Sequence, residues 1–393
     1  MTGTMDAGNM RKGEMDKMKL YRMELYKLCH RKIVYAGTIF LTVVLLLFYS
    51  MKISEEWAYV DGVLYEGFEA IQKNREITEE FKGLLTDEKV DAIVEKYGFP
   101  QEVERNYGGF RDGNYLSAFV TDFLTDGYMR GWGEGEYQIS TRTYPIAETE
   151  LGAAKELTGQ EIILEYSNGW SVFEELLNGG TILSSILIIL IVSVLFAGER
   201  QAKMVPLLFT TKEGRQKDIR IKIAAAFTAA ITIWLAVTAL DLILCGYVYG
   251  YDGLDNLVGT TKIIGSIVAQ GWSVSIWTVR HYIAVIIFRS FVGIMTLCAT
   301  TIYISAGCRT SFHAVSIAAI VWGMPLLLWF LLPNGFVFSL VRVLIYATPL
   351  YHSMCNSIFD ISTIWVILAE IAAVWSVFCV FRGYLKYRRQ QAA

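Results

Sequence analysis

The sequence predicts a mainly α-helical, polytopic membrane protein with six transmembrane helices and an extracytoplasmic domain, mixed but mainly helical, between the first and the second. Three observations predict it. Six apolar runs each reach about 17 residues or more, enough at about 1.5 Å per residue to cross a hydrocarbon core of about 30 Å. Lys and Arg gather in three short segments that fall on one face when the six crossings are counted. Finally, 26 of the 38 acidic side chains lie in residues 51–180, against 11 basic ones. Most of the runs are apolar all round, unlike the striped helices of a soluble core, and the mean hydropathy of +0.39 agrees.

Residues 1–17 repeat Met among Gly, Asp and Lys without apolar periodicity and are expected to form a disordered lead. From residue 18 to 32, Tyr21, Leu25, Leu28 and Cys29 share a helical stripe ringed by Lys19, Arg22, Lys27 and Arg31, a pattern suited to a helix lying at the membrane interface. The first span, 33–50, reads as an uncleaved signal anchor, because no small-x-small site follows Ser50 and five more spans do. Segment 51–180 has the length for a modest core of its own. In it, Thr86-Asp87-Glu88 reads as a helix cap ahead of Val90, Ile93, Val94 and Tyr97. Gly98-Phe99-Pro100 stops that helix, a second helix is expected over 115–129, and a strand over 161–166.

The remaining spans are expected at 181–197, 223–248, 282–306, 312–332 and 362–381. The basic segments are the N-terminal flank, the elbow 198–222 and the tail with Arg382, Lys386, Arg388 and Arg389, so both termini are expected in the cytoplasm. On the outer side, Ile263, Ile264, Ile267 and Val268 suggest a short interfacial helix. The apolar stretch within 333–361 is too short to span, so a re-entrant segment broken near Pro349 is expected.

Several chemistries are excluded. There is no P-loop, HExxH, GxSxG or Cys–His constellation, so no catalytic residue, no metal site and no enzyme activity is expected of this chain. Its six cysteines avoid the acidic segment and form no CxxC, and neither charged region has the character of a nucleic-acid partner. Two groups of residues stand out instead. The elbow carries seven Lys or Arg against three acids around an apolar turn, Val205, Leu207, Leu208 and Phe209, a knob fit to dock in a cleft while Lys203, Lys212 and Arg215 reach acidic groups or lipid headgroups. Inside the spans, Asp241, Arg289 and Glu370 each lie seven or eight residues from the outer end of their helix, about 10–12 Å down, and are expected to form one charge cluster.

With Phe196, Glu199, Leu207-Leu208, Thr210-Thr211, Gly214-Arg215 and Lys222 in that order through the elbow, the layout from about 18 to 385 resembles the permease subunits of bacterial type-2 ABC exporters. Lys203-Met204, where many members carry a small residue, and Pro206 depart from the pattern. The resemblance implies a chain in the bacterial plasma membrane that pairs with a second permease, in a homo- or heterodimer, and contacts membrane lipid. ATP and Mg would be bound by separate ABC ATPase subunits, docked at a coupling loop of Glu199, Lys203, Leu207, Leu208, Phe209, Gly214 and Arg215. The implied activity is export of an amphiphilic peptide, lipid or drug-like cargo. The alternative is a non-transporting membrane sensor or immunity protein that captures a peptide through the segment 51–180.

Overall fold

The computed structural model of the protein describes residues 7–100, 112–126, 141–204, 216–261, 277–331, 348–353 and 365–389. It is mainly helical, with six helices long and apolar enough to cross a membrane. A helix α1 (Ala7–Cys29) precedes the first span, α2 (Lys32–Ser54). The second span is α7 (Asn168–Val192), continued by α8 (Val194–Gln201). The third is α9 (Lys217–Tyr249), the fourth α10 (Val279–Gly307), the fifth α11 (Ser311–Leu331) and the sixth α13 (Trp365–Arg389), with a one-turn helix α12 (Pro349–Ser353) before it. The second and fourth spans are 72% and 67% buried over their apolar windows, against 17–33% for the others, so they form the axis of the bundle.

Two boundaries differ from expectation. The lead is helical from Ala7, because Ala, Met, Lys, Glu and Arg are good helix formers even without an apolar stripe. Over its later part α1 lies along the third span, with Leu28 buried and the Tyr21 hydroxyl donating to Thr228 Oγ1 at 2.7 Å. The second span starts at Asn168 rather than at 181, running through Gly179-Gly180. Gly180 is a place of close approach: a Cβ there would sit 2.7 Å from Val237 Cγ1 and 3.0 Å from Asp241 Oδ2 on the third span.

Between the first two spans the chain folds into small helices on a shared core. A hairpin, β1 (Trp57–Val60) with β2 (Val63–Glu66), turns on Asp61 and Gly62, at φ 53° and 80°, the left-handed pair that a tight hairpin requires. It is followed by α3 (Gly67–Glu80), β3 (Gly83–Leu84), α4 (Asp87–Tyr97), α5 (Tyr115–Leu124), α6 (Glu150–Thr158) and β4 (Ile163–Leu164), with β3 and β4 antiparallel. The Thr86 side chain accepts from Lys89 N at 3.3 Å to cap α4, and Asn114 and Ser117 form a capping box on α5. Ile71, Ile93, Phe119 and Leu151 belong to the same cluster as Phe173, Leu177, Tyr249 and Tyr282, so the domain and the adjoining end of the bundle share one core.

The connection after the third span fastens to that domain. Asp252 faces Lys82 at 3.3 Å and Arg75 at 3.8 Å, its carbonyl accepts from Trp170 Nε1 at 2.7 Å, and Gly253 N donates to Glu165 at 2.7 Å. Two connections separated by an even number of crossings meet at one end, as six antiparallel spans require. We call this the domain end, and the opposite one the basic end. The stretch with Ile263–Val268, and the 333–361 segment apart from residues 348–353, lie outside the described residues.

Candidate functional site: buried charges at the two ends of the bundle

The basic end holds a charged joint. Lys222 in the third span is 1% exposed and pairs with Glu199 at the end of the second span, 2.6 Å away, and with Asp218 one turn earlier on its own helix. Glu199 also accepts from the Tyr387 hydroxyl of the sixth span at 2.8 Å. Arg200 donates to the carbonyls of Ser305 (3.0 Å) and Ala306 at the end of the fourth span, and its guanidinium lies over the Tyr387 ring. Ser305 Oγ accepts from the Phe196 and Ala197 amides and donates to the Ser193 carbonyl, closing the short break between α7 and α8. Gln201 Oε1 accepts from Ser311 N, the start of the fifth span. Five spans therefore meet through side chains of Glu199 to Gln201 and Lys222, the two feet of the elbow.

A buried lysine is tolerated here because its charge is matched on two sides, and charge-assisted hydrogen bonds satisfy its ammonium. Beyond Gln201 the chain turns sharply: Lys203 has φ 54°, the left-handed region that a β-carbon disfavours, and Met204 is 51% exposed. Of the seven elbow residues singled out in the sequence, Glu199 and Lys203 are described. Leu207, Leu208, Phe209, Gly214 and Arg215 lie outside the described residues.

The domain end holds charges of another kind. Arg289 in the fourth span is fully buried. Its Nη2 donates to the Tyr351 carbonyl at 3.3 Å and the guanidinium sits 4.7 Å from the centre of that residue's ring, while Nε and Nη1 have no partner among the described residues. Glu174, six residues into the second span and 1% exposed, accepts from the Tyr282 hydroxyl at 2.8 Å through Oε1, and its Oε2 has no partner among the described residues. Arg289 lies within electrostatic reach of both Glu174 and the buried His352. Asp241 is fully buried on the third span against Gly180, with neither carboxylate oxygen bonded among the described residues.

The three-charge cluster expected from depth alone is not brought together. No ion pair joins Asp241, Arg289 and Glu370 among the described residues, and Glu370 is on the exposed face of the sixth span. Spacing fixes the depth of a residue along a helix, but the rotation of that helix in its bundle decides which way the side chain points. The group that does sit by Arg289, Glu174, escaped notice because the apolar signal begins only at Thr181, so this turn of the second span reads as part of the acidic domain. Tyr282 and His352 carry no signal of their own; a Tyr seven residues before an intramembrane Arg, on one helix face, is the only hint. Among the described residues no group of three His, Cys, Asp or Glu side chains is placed to hold a metal ion.

Compared with known proteins, the chain matches no family model, no curated protein and no solved structure.

Proposed function

We propose that this chain is the membrane-spanning permease subunit of an ATP-driven exporter, of the type-2 ABC kind its sequence resembles, with the basic end and both termini in the cytoplasm. The observation that supports the reading is the joint at the feet of the elbow. A motor docked on residues 205–215 needs its push passed to several helices at once, and the side chains of Glu199, Arg200, Gln201 and Lys222 bind the second, third, fourth, fifth and sixth spans within two turns of the loop. ATP and Mg belong to a separate ATPase, a second permease completes the pathway, and the cargo is amphiphilic. The buried, half-satisfied charges at the domain end suit a route that opens there, since polar groups inside spans face the bundle interior or an aqueous path.

The test is co-purification. The full chain, tagged, expressed in its own host and extracted in mild detergent, is expected to bring down an ATPase, measured as nucleotide hydrolysis in the eluate. Replacing Leu207, Leu208 and Phe209 together by Ser is expected to cut that activity by tenfold or more, because central apolar anchors carry most of a docking energy at about 2 kcal/mol or more each. The amount of chain in the membrane fraction is expected to stay unchanged. Undiminished ATPase in the triple variant sinks the coupling assignment. An unsubstituted chain that elutes with no ATPase sinks the permease reading itself and favours the sensor.

A further inference from the structure

We propose that an anionic phospholipid occupies a groove between the third and sixth spans at the basic end, its acyl chain in the groove and its phosphate on Arg220. The proposal stands apart from the export reading and requires only that the six helices lie in a membrane.

The groove has a volume of about 520 Å³, within the range of small-molecule sites. The third and sixth spans each pack on the fourth and scarcely touch one another, and the gap between them is what remains. Ile223 and Phe227 form one wall and Val380 and Phe381 the other, with Ser376 at its inner limit and Tyr384 near its mouth. From Ser376 to Tyr384 the groove follows the helix axis for about 12 Å. Its rim runs into exposed apolar surface, Val377 at 71% and Phe381 at 59%, so it opens sideways onto what surrounds the spans.

The charge at the mouth selects the occupant. Arg220 is exposed and has no carboxylate partner among the described residues. Of the ionised neighbours on its own helix, Asp218 and Lys222 are buried and turned to the other side, engaged with Glu199 and with each other, and Lys217 is a second cation. Arg388 and Arg389 are also exposed at this end. Arg220 lies in the first turn of its helix, where the dipole adds to the attraction for an anion. An apolar chain gains nothing on leaving the bilayer for this groove, since lipid tails are as apolar as its walls. Preference must therefore come from the headgroup, and the cation prefers a negative one. A helix of a second copy fits worse. At about 10 Å across it is wider than a single acyl chain, and seating it would bury the Arg220 guanidinium, a cost that a headgroup phosphate left at the membrane surface avoids.

The experiment uses the full chain in detergent, exchanged into mixed micelles holding equal amounts of phosphatidylglycerol and phosphatidylcholine with identical acyl chains, and counts retained lipids by native mass spectrometry. The unsubstituted chain is expected to hold phosphatidylglycerol in preference. Arg220→Gln is expected to lower that preference about fivefold, the worth of one cation near a membrane surface. Val380→Trp, which fills the groove but leaves the charge, is expected to lower retention of both lipids together. Equal retention of the two lipids by the unsubstituted chain, or an undiminished preference in Arg220→Gln with the same elution volume and melting temperature, overturns the proposal. So does a change of oligomeric state in Val380→Trp without loss of lipid, which would make this face an interface between copies. Displacement of the bound phosphatidylglycerol by cationic amphiphiles as readily as by anionic ones also overturns it, because the groove would then be selecting chains rather than headgroups.

Discussion

The two ends of the bundle bury charge in opposite ways. At the basic end Lys222 is enclosed by Glu199 and Asp218, and Glu199 is tied in turn to Tyr387. At the domain end, among the described residues, Asp241 has neither oxygen bonded, Glu174 has one of two, and Arg289 holds one carbonyl and one ring with two nitrogens left over. A matched buried pair keeps one geometry, because any displacement exposes an uncompensated charge to a low-dielectric interior. An unmatched one is balanced by whatever else reaches it: water, a proton, a bound group or a side chain outside the described residues. Among the described residues, the basic end therefore reads as a fully paired joint and the domain end as the less fully paired one.

The contrast breaks most directly at Lys222. Lys222→Met removes one partner of a buried cluster and leaves Glu199 and Asp218 facing each other, which is expected to cost about 3–5 kcal/mol. Thermal unfolding in detergent is expected to drop sharply, and the triple variant Lys222→Met, Glu199→Gln, Asp218→Asn to recover most of the loss. A melting temperature that Lys222→Met leaves untouched would show that the joint is not held by its charges.

Arg289→Gln is expected to cost less, about 1–3 kcal/mol, since a carbonyl bond and a ring contact are lost but no counter-ion is stranded in contact. The loss should be local: hydrogen exchange at Leu350, Tyr351 and His352, the buried turn that Arg289 holds, is expected to quicken more than at the basic end. Glu370→Gln, on the outward face of the sixth span, strands no buried partner and removes an ionisable group from that face, so it is expected not to lower stability. Equal losses for Arg289→Gln and Glu370→Gln would restore the three-charge cluster read from depth.

Asp241 inverts the sign. Asparagine keeps its shape and removes a buried carboxyl that no described residue balances, so Asp241→Asn is expected to leave the fold as stable or to gain about 1 kcal/mol, while impairing whatever the domain end does. A loss comparable with that of Lys222→Met would mean that Asp241 has a standing counter-ion, and the distinction between the ends would collapse.

The length of each apolar run was enough to read the six spans, because a hydrocarbon core demands about 20 apolar residues in a row whatever their partners. The Thr86 cap and the stop at Gly98 were legible for a similar reason, being set by neighbours in sequence. The hairpin at Asp61-Gly62 has a local signal of the same kind, an Asp-Gly between two short strand-forming runs, but a two-strand ribbon of four residues each is a weak pattern inside a mainly helical segment. Contacts between distant residues were a different matter. Glu199 and Lys222 stand out one by one within the elbow, yet their pairing across 23 positions depends on how two helices turn toward each other. Glu174 was hidden by its position before the apolar run, and Glu370 was misplaced because depth does not reveal facing.

The smallest expected effect lies outside the bundle, where water screens charge and neither kind of burial applies. The Glu88 carboxylate is held below its usual 4.5 by a backbone N–H at the start of α4 first and by the Thr86 hydroxyl second. A depressed carboxylate stabilises the fold above its unfolded value, and that contribution fades as pH falls through the lower folded one. Protection of the Lys89 and Val90 amides, corrected for intrinsic exchange, is therefore expected to be flat above about pH 5 and to decline slightly below about pH 4. Asp87, the neighbouring carboxylate, accepts from Ile146 N at 2.9 Å, so the comparison is made in Asp87→Asn to isolate Glu88. In that background Glu88→Gln is expected to abolish the decline. If the decline persists without either carboxylate, its source lies in another group, and the exposed domain is not the screened reference against which the two buried ends can be compared.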